Sequence, residues 1–459
     1  MTTAQPTTHT TSARPKPGLL NARYRAFTVG SIALTSLSAF EALAVATAMP
    51  TVAEALHGLA LYALAFGMPM AASVVGMVTS GVWSDARGPV APMLHGIGWF
   101  ALGLLIAGTA PAMEMVVVGR AVQGFGTGMF SVALYVVVAR LYPSELHPKI
   151  FGTFAAAWVV PSLIGPAIAG GIVEYLHWRL IFLAAPALIV VAALLMWPGL
   201  RNLPPTTPTS LASGSLQRIG WAAGAAVSAA LLHYAGQQRN LMAGVLLVVA
   251  LIGLTICAPR LLPAGFLRAR RGIPAVVLLR ALTASAFFGA EVFIPLMLSR
   301  ERGLPPALAG LALTMASLAW AAGSWLQGWS RQPLSRTALL RLGLLLIASG
   351  IGVAALTVTE LVPVFVGILG WGVAGLGMGV FYPILSVLIL ELSSPEEQGR
   401  NSSALQLGES LWAAVTLALV GTLFAASADP GLGTYLTGFA LTGALALFAA
   451  TLTSRVRPA

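Results

Sequence analysis

Long apolar runs, broken by short polar segments, recur from residue 27 to residue 453. Each is about the 20 residues that a helix needs to cross a hydrocarbon core. Fourteen can be delimited: 27–49, 58–83, 90–109, 112–140, 149–173, 180–198, 217–235, 240–262, 274–299, 306–328, 337–357, 361–391, 402–426 and 432–453. Several exceed a minimal span, which predicts tilted helices or ends that reach into water. The first run is longer than a leader-peptide core, contains Glu41 and lacks a small-residue cleavage site. It therefore reads as a span, not a cleaved leader.

Composition agrees with this pattern. Charged residues make up 8% of the 459 and hydrophobic residues 58%, with a mean hydropathy of +0.87. A soluble chain carries about 25% charged residues, so this one must use lipid as most of its solvent. The net charge of +11 does not signal nucleic-acid binding, because the basic residues are scattered singly between apolar runs. With the N-terminus inside, 19 of the 25 basic residues face the cytoplasm. Arg179, Arg239, Arg300 and Arg302 face outward, and Arg120 and Arg280 lie within spans. This asymmetry predicts a multi-pass protein of the cell membrane with both termini cytoplasmic. Only Lys16 and Lys149 are lysines, a usage expected of a GC-rich bacterial genome.

The order of segments predicts a Thr- and Pro-rich disordered tail (1–26) and a six-helix bundle (27–198). A linker (199–216), two extra helices (217–262) and a basic loop (263–273) follow. A second six-helix bundle (274–453) and a short tail (454–459) complete the chain. Gly124, Gly126, Gly128 and Phe130 in the fourth span are echoed by Gly375, Gly377, Gly379 and Phe381 in the twelfth. One such stretch would simply be close helix packing. Two at matching positions indicate an internal repeat, the usual architecture of secondary transporters.

Ionisable groups inside spans carry the candidate chemistry, since a charge at the midplane costs at least about 2.5–3.5 kcal/mol. Glu41, Glu291 and Glu409 are the three acids well inside spans. A desolvated carboxylate can exchange a proton or pair with a cationic substrate; the plainer alternative is a protonated acid bonded to a neighbouring helix. Arg120, followed by Gln123, must find a carboxylate, carbonyls or a water-filled cavity. Aromatic residues within the spans, Trp158, Phe287, Phe293, Trp371, Phe381, Tyr382 and Trp412, are candidates to line a cavity for amphipathic or cationic compounds, or pack as core. No histidine pairs with Cys, Asp or Glu at metal-ligand spacing, so neither metal nor cofactor is expected. Cys257 sits in an apolar run and reads as packing.

Several segments resemble the major facilitator superfamily. VVVGRAVQGFGTG, which contains Arg120, Gln123 and Gly124, is similar to its fourth-helix motif. SGVWSDARGPV (80–90) resembles the loop between its second and third helices, with Asp85, Arg87 and Gly88. IGPAIAGG (164–171) resembles the fifth-helix motif of antiporters, with Gly165 and Pro166 bending the helix. FEALAVATAMP (40–50) resembles a first-helix motif, an acid followed by a helix-ending proline, and HWRLIF (177–182) is common in drug-exporting members. With two extra central helices, the overall likeness is to the fourteen-helix drug:proton antiporters. Glu41 stands where Asp is usual, Ala86 where Arg is usual, Pro89 and Val90 replace a basic pair, and Ala169 replaces a glycine.

The resemblance implies an all-α polytopic fold, two six-helix bundles plus two central helices. It further implies a monomeric, non-enzymatic antiporter exchanging protons for small amphipathic or cationic compounds, with Asp85, Arg87 and Gly88 at a gate. The same fold supports proton-coupled uptake. A membrane enzyme or receptor is the remote alternative, and no HExxH or GxSxG supports it.

Overall fold

The computed structural model describes residues 18–58, 61–204, 214–235, 241–304, 306–329, 334–359, 362–426 and 431–457. Most of the expected N-terminal tail and the middle of the 199–216 linker lie outside these residues. Among the described residues the chain is helical and has no strand. The helices are α1 (Arg25–Ala55), α2 (Tyr62–Arg87), α3 (Val90–Thr109), α4 (Met113–Leu141), α5 (His147–Ala156), α6 (Val159–Tyr175) and α7 (Arg179–Arg201). Next come α8 (Ser215–Ala235), α9 (Leu241–Leu261), α10 (Ile273–Glu291) and α11 (Phe293–Arg300). The last are α12 (Pro306–Trp329), α13 (Arg336–Leu356), α14 (Val364–Glu391), α15 (Gln398–Ala426) and α16 (Leu432–Leu452).

Among the described residues, 12 helical segments are long and apolar enough to cross a membrane, α5–α6 and α10–α11 each forming one. The long helices α8 and α15 bring the total to the expected fourteen. Gln217, Arg218 and His233 dilute the apolar character of α8.

Two bundles repeat one packing scheme. In the first, α2 and α3 pack on α4, and α1 packs on α6 and α7. In the second, α12 and α13 pack on α14, and α10 packs on α15 and α16. The repeated glycines explain how closely the helices meet. A methyl group at Gly124 or Gly128 would collide with the carbonyls of Pro69 and Ser73 on α2. At Gly375 or Gly379 it would collide with those of Ala316 and Trp320 on α12. Membrane helices associate by such small-residue contact because lipid gives no hydrophobic drive between them. The extra pair is fastened to the first bundle, with α8 on α2 and α9 on α8.

Prolines act differently from the sequence expectation. Pro50 does not end the first helix, for α1 continues through it to Ala55. Pro166 lies inside α6, and the interruption of the fifth span falls earlier, between Ala156 and Val159. Pro161 is the cause, since it has no N–H to give the carbonyl of Ala157. Ser36 Oγ on α1 donates to that carbonyl instead, at 2.9 Å, the repair that lipid demands. The span over 274–299 is likewise interrupted, at Val292, where Pro295 cannot donate to the carbonyl of Glu291.

Both described chain ends lie at one end of the bundles, with Arg87, Arg140, Arg201, Arg336 and Arg400; this is the basic end.

Candidate functional site

The first site is built where α1, α2 and α4 meet. Arg120 Nη1 donates to Glu41 Oε1 at 2.8 Å and to Gln123 Oε1 at 2.6 Å. Its Nε donates to the carbonyl of Ala65 at 3.3 Å. Glu41, Arg120 and Gln123 are all buried. Arg120 and Gln123 are one turn apart, so α4 presents both on one face. The unbroken α1 brings the carboxylate to them. The guanidinium thus finds an acid, an amide oxygen and a carbonyl together, which is how a permanent charge is tolerated at membrane depth.

A second site in the other bundle rests on Arg280, a residue that the sequence reading placed within a span without a role. Arg280 Nε donates to Glu409 Oε2 at 2.7 Å, and its Nη1 donates to Ser386 Oγ at 3.1 Å. Tyr382 Oη donates to the same carboxylate, 2.9 Å from Oε1, and its ring centroid lies 3.0 Å from Arg280 Cζ. Tyr135 of the first bundle approaches from α4, its hydroxyl 3.1 Å from Ser386 Oγ and 3.5 Å from Arg280 Nη2. This cluster therefore spans both bundles. An arginine inside a span was the signal that could have found it.

Asp85 makes a second bridge between the bundles, at the basic end. Its Oδ1 accepts from the backbone N–H of Gly399 at 2.6 Å and its Oδ2 from that of Arg400 at 2.8 Å. A carboxylate of α2 thus caps the N-terminus of α15, where free N–H groups and the helix dipole favour negative charge. The approach needs small residues, because a methyl group at Gly399 would strike Gly81 and Asp85 itself. Gly88 ends α2 with φ +85° and ψ 166°, a backbone that L side chains rarely adopt. Arg87 is exposed. Arg140, Arg218 and Arg400 lie within electrostatic reach of Asp85.

The remaining candidates are dispersed. Gly165 is buried against Phe40 and Leu43 of α1, while Pro166 and Trp158 are exposed. Phe287, Trp371 and Phe381 are fully buried within the second bundle. Phe287 stacks on Trp371 at 4.7 Å and meets Trp320 edge-on at 5.5 Å. Phe293 is buried next to the interruption. Trp412 is half-buried and meets Phe266 at 5.0 Å. Glu291 closes α10 and has no hydrogen-bond or ion-pair partner among the described residues. Cys257 is buried beside Gly224. Among the described residues no group of histidine, cysteine and acidic side chains is arranged to hold a metal.

The repeat relates these residues. The offset that lays Gly124 on Gly375 and Phe130 on Phe381 also lays Arg120 on Trp371 and Tyr135 on Ser386. Within one residue it lays Glu41 on Glu291. The first-helix acid therefore recurs, while its fourth-helix arginine is replaced by an indole.

Two parallel six-helix repeats, each with a buried ion pair, define a membrane transporter of small molecules, not an enzyme. The chain belongs to the Major Facilitator Superfamily, whose family model matches residues 31–416. It is similar to the multidrug efflux pump SdrM of Staphylococcus aureus, 26% identical over 404 residues, covering 86% of this chain and 89% of that one. It is also 25% identical over 456 residues to a protein of Mycobacterium tuberculosis named a probable multidrug-efflux transporter, covering 94% of each chain. The human organic anion transporter MFSD10 (TETRAN) shares the fold, with a TM-score of 0.71 at 14% identity, over 94% of this chain and 99% of that one.

Proposed function

We propose that the protein exports small amphipathic or cationic compounds in exchange for protons, by alternating access, as a monomer in the cell membrane. The basic end faces the cytoplasm in this reading, as the distribution of arginines supports. The observation that carries it is the buried Glu41–Arg120–Gln123 cluster. Such a cluster is costly at membrane depth, and intramembrane charges of this kind mark ion and substrate pathways. The names borne by the two bacterial relatives support drug export in particular.

In this reading Asp85 and Tyr135 hold the basic end closed, and separation of the bundles there opens the protein to the cytoplasm. Gly88 gives α2 its sharp end, and exposed Arg87 joins the gate when the bundles part. Gly165 and Pro166 let α6 move against α1. Aromatic residues near the bundle contact, Tyr382 and Trp412 among them, meet the substrate. Each inward proton gains about 2.3 kcal/mol per 100 mV. A singly charged cation leaving in one-for-one exchange costs the same, so the pH gradient then drives export, whereas a neutral compound draws on both.

The test is transport in proteoliposomes with an imposed pH gradient, screened with cationic and neutral dyes. Gradient-driven movement is expected in the wild type and is lost in Glu41→Gln at equal protein level. Movement that ignores the gradient overturns the coupling, and a fully active Glu41→Gln overturns the role of that residue.

A further inference from the structure

The three acids inside the spans are not equivalent. Glu41 is held by Arg120 at 2.8 Å and Glu409 by Arg280 at 2.7 Å. Glu291 has no such partner among the described residues. Its backbone carbonyl also loses the usual helical donor, because that donor would come from Pro295. One residue thus presents two acceptor groups with no fixed cation, at the point where α10 gives way to α11.

An aromatic cluster begins one turn before it. Phe287 lies one turn before Glu291 on the same face of α10. Behind Phe287 stand Trp371, stacked at 4.7 Å, and Trp320, edge-on at 5.5 Å. The Nε1 atoms of both indoles are buried and have no hydrogen-bond partner. By the repeat, Trp371 stands where Arg120 stands in the first bundle. The first bundle supplies its acid with a cation. The second supplies aromatic faces, which attract a cation without being one.

Other charged and titratable groups nearby are committed or remote. On α10, α14 and α15, Arg280, Tyr382 and Glu409 are bonded to one another. Tyr435 of α16 is buried, with Arg300 and Glu301 as its charged neighbours. Arg300 ends α11, more than two turns beyond Glu291.

We infer that Glu291 is the carboxyl at which the proton and an organic cation replace one another, one turn from Phe287 and the two indoles packed on it. This rests on the exchange proposed above and assigns it to one residue. When the cation arrives, the O–H bond of the protonated carboxyl breaks. The proton leaves to water, and the carboxylate keeps the electron pair and holds the cation. On the outer side the reverse occurs, so one proton enters for each cation that leaves.

The experiment measures protons released by purified protein in weakly buffered detergent on addition of tetraphenylphosphonium, read with a pH-sensitive dye. The wild type releases protons in proportion to cation bound. Glu41→Gln, impaired in turnover but retaining this carboxyl, also releases them. Glu291→Gln binds more weakly and releases none, whereas Glu291→Asp restores release. Release that persists in Glu291→Gln overturns the assignment and leaves proton exchange standing. Loss of release in folded Glu291→Asp, or in Glu41→Gln, also overturns it. A wild type that binds the cation without releasing protons overturns both readings.

Discussion

Tyr135 and Ser386 hold equivalent places in the two halves of the repeat, and their hydroxyl oxygens lie 3.1 Å apart where α4 meets α14. Contact between equivalent residues places them at the pseudo-twofold axis that relates the bundles. Ser386 also receives Arg280 Nη1 at 3.1 Å, so this contact joins the first bundle to the ion pair of the second.

Tyr135→Phe removes the hydroxyl and keeps the ring, which packs on Phe151 at 4.8 Å. A hydrogen bond of this kind contributes about 0.5–1.5 kcal/mol. The population with separated basic ends is expected to rise from a few-fold to about tenfold. Spin-label distances between the basic ends of α5 and α12, in a protein with Cys257 replaced, read the shift. An unchanged distance distribution removes the hydroxyl from the gate.

Asp85→Ala removes both acceptors from the N-terminus of α15 and is expected to cost the closed state roughly 0.5–2 kcal/mol. Asp85→Asn keeps one acceptor oxygen and shifts less. Arg87→Ala, at an exposed position, leaves the closed state unchanged. Accessibility of a cysteine placed on the α2 surface facing α15 ranks the three variants; equal accessibility in all three would count against the cap.

Gly124→Ala forces a methyl group into the Pro69 carbonyl, whereas Gly98 on α3 has nothing within 4 Å of an added methyl. Overpacking costs roughly 1–3 kcal/mol. Thermal unfolding in detergent should fall clearly for Gly124→Ala and stay at the wild-type temperature for Gly98→Ala. Similar melting of the two refutes the close α2–α4 contact.

Arg120→Ala strands the carboxylate of Glu41 in a buried place, a loss of roughly 3–5 kcal/mol for a pair of this type. The double variant Arg120→Ala/Glu41→Gln removes both charges and should recover much of that stability. If the double variant melts below the single one, the pair is not the source of the loss.

Much of this architecture was readable in the chain because lipid permits few solutions. The run 90–109 coincides with α3, and 432–453 ends one residue beyond α16. Proline was harder to read. Pro50 and Pro166 drew attention through motifs and sit inside helices, while Pro161 and Pro295 mark the interruptions. Whether a freed carbonyl breaks a helix depends on neighbours such as Ser36, which sequence does not reveal. The candidate acids were visible as misplaced charges, but their partners were not. Glu409 and Arg280 are far apart in sequence, and the partner of Asp85 is backbone N–H, which leaves no mark in composition.

The fastening of α8 to α2 divides the molecule unevenly: eight spans on one side of the contact and six on the other. If the bundles rock, the smaller one swings through more lipid, and α8 and α9 act as ballast for the larger. A lineage could gain or lose this pair without disturbing either ion pair, since neither Arg120 nor Arg280 is bonded to it.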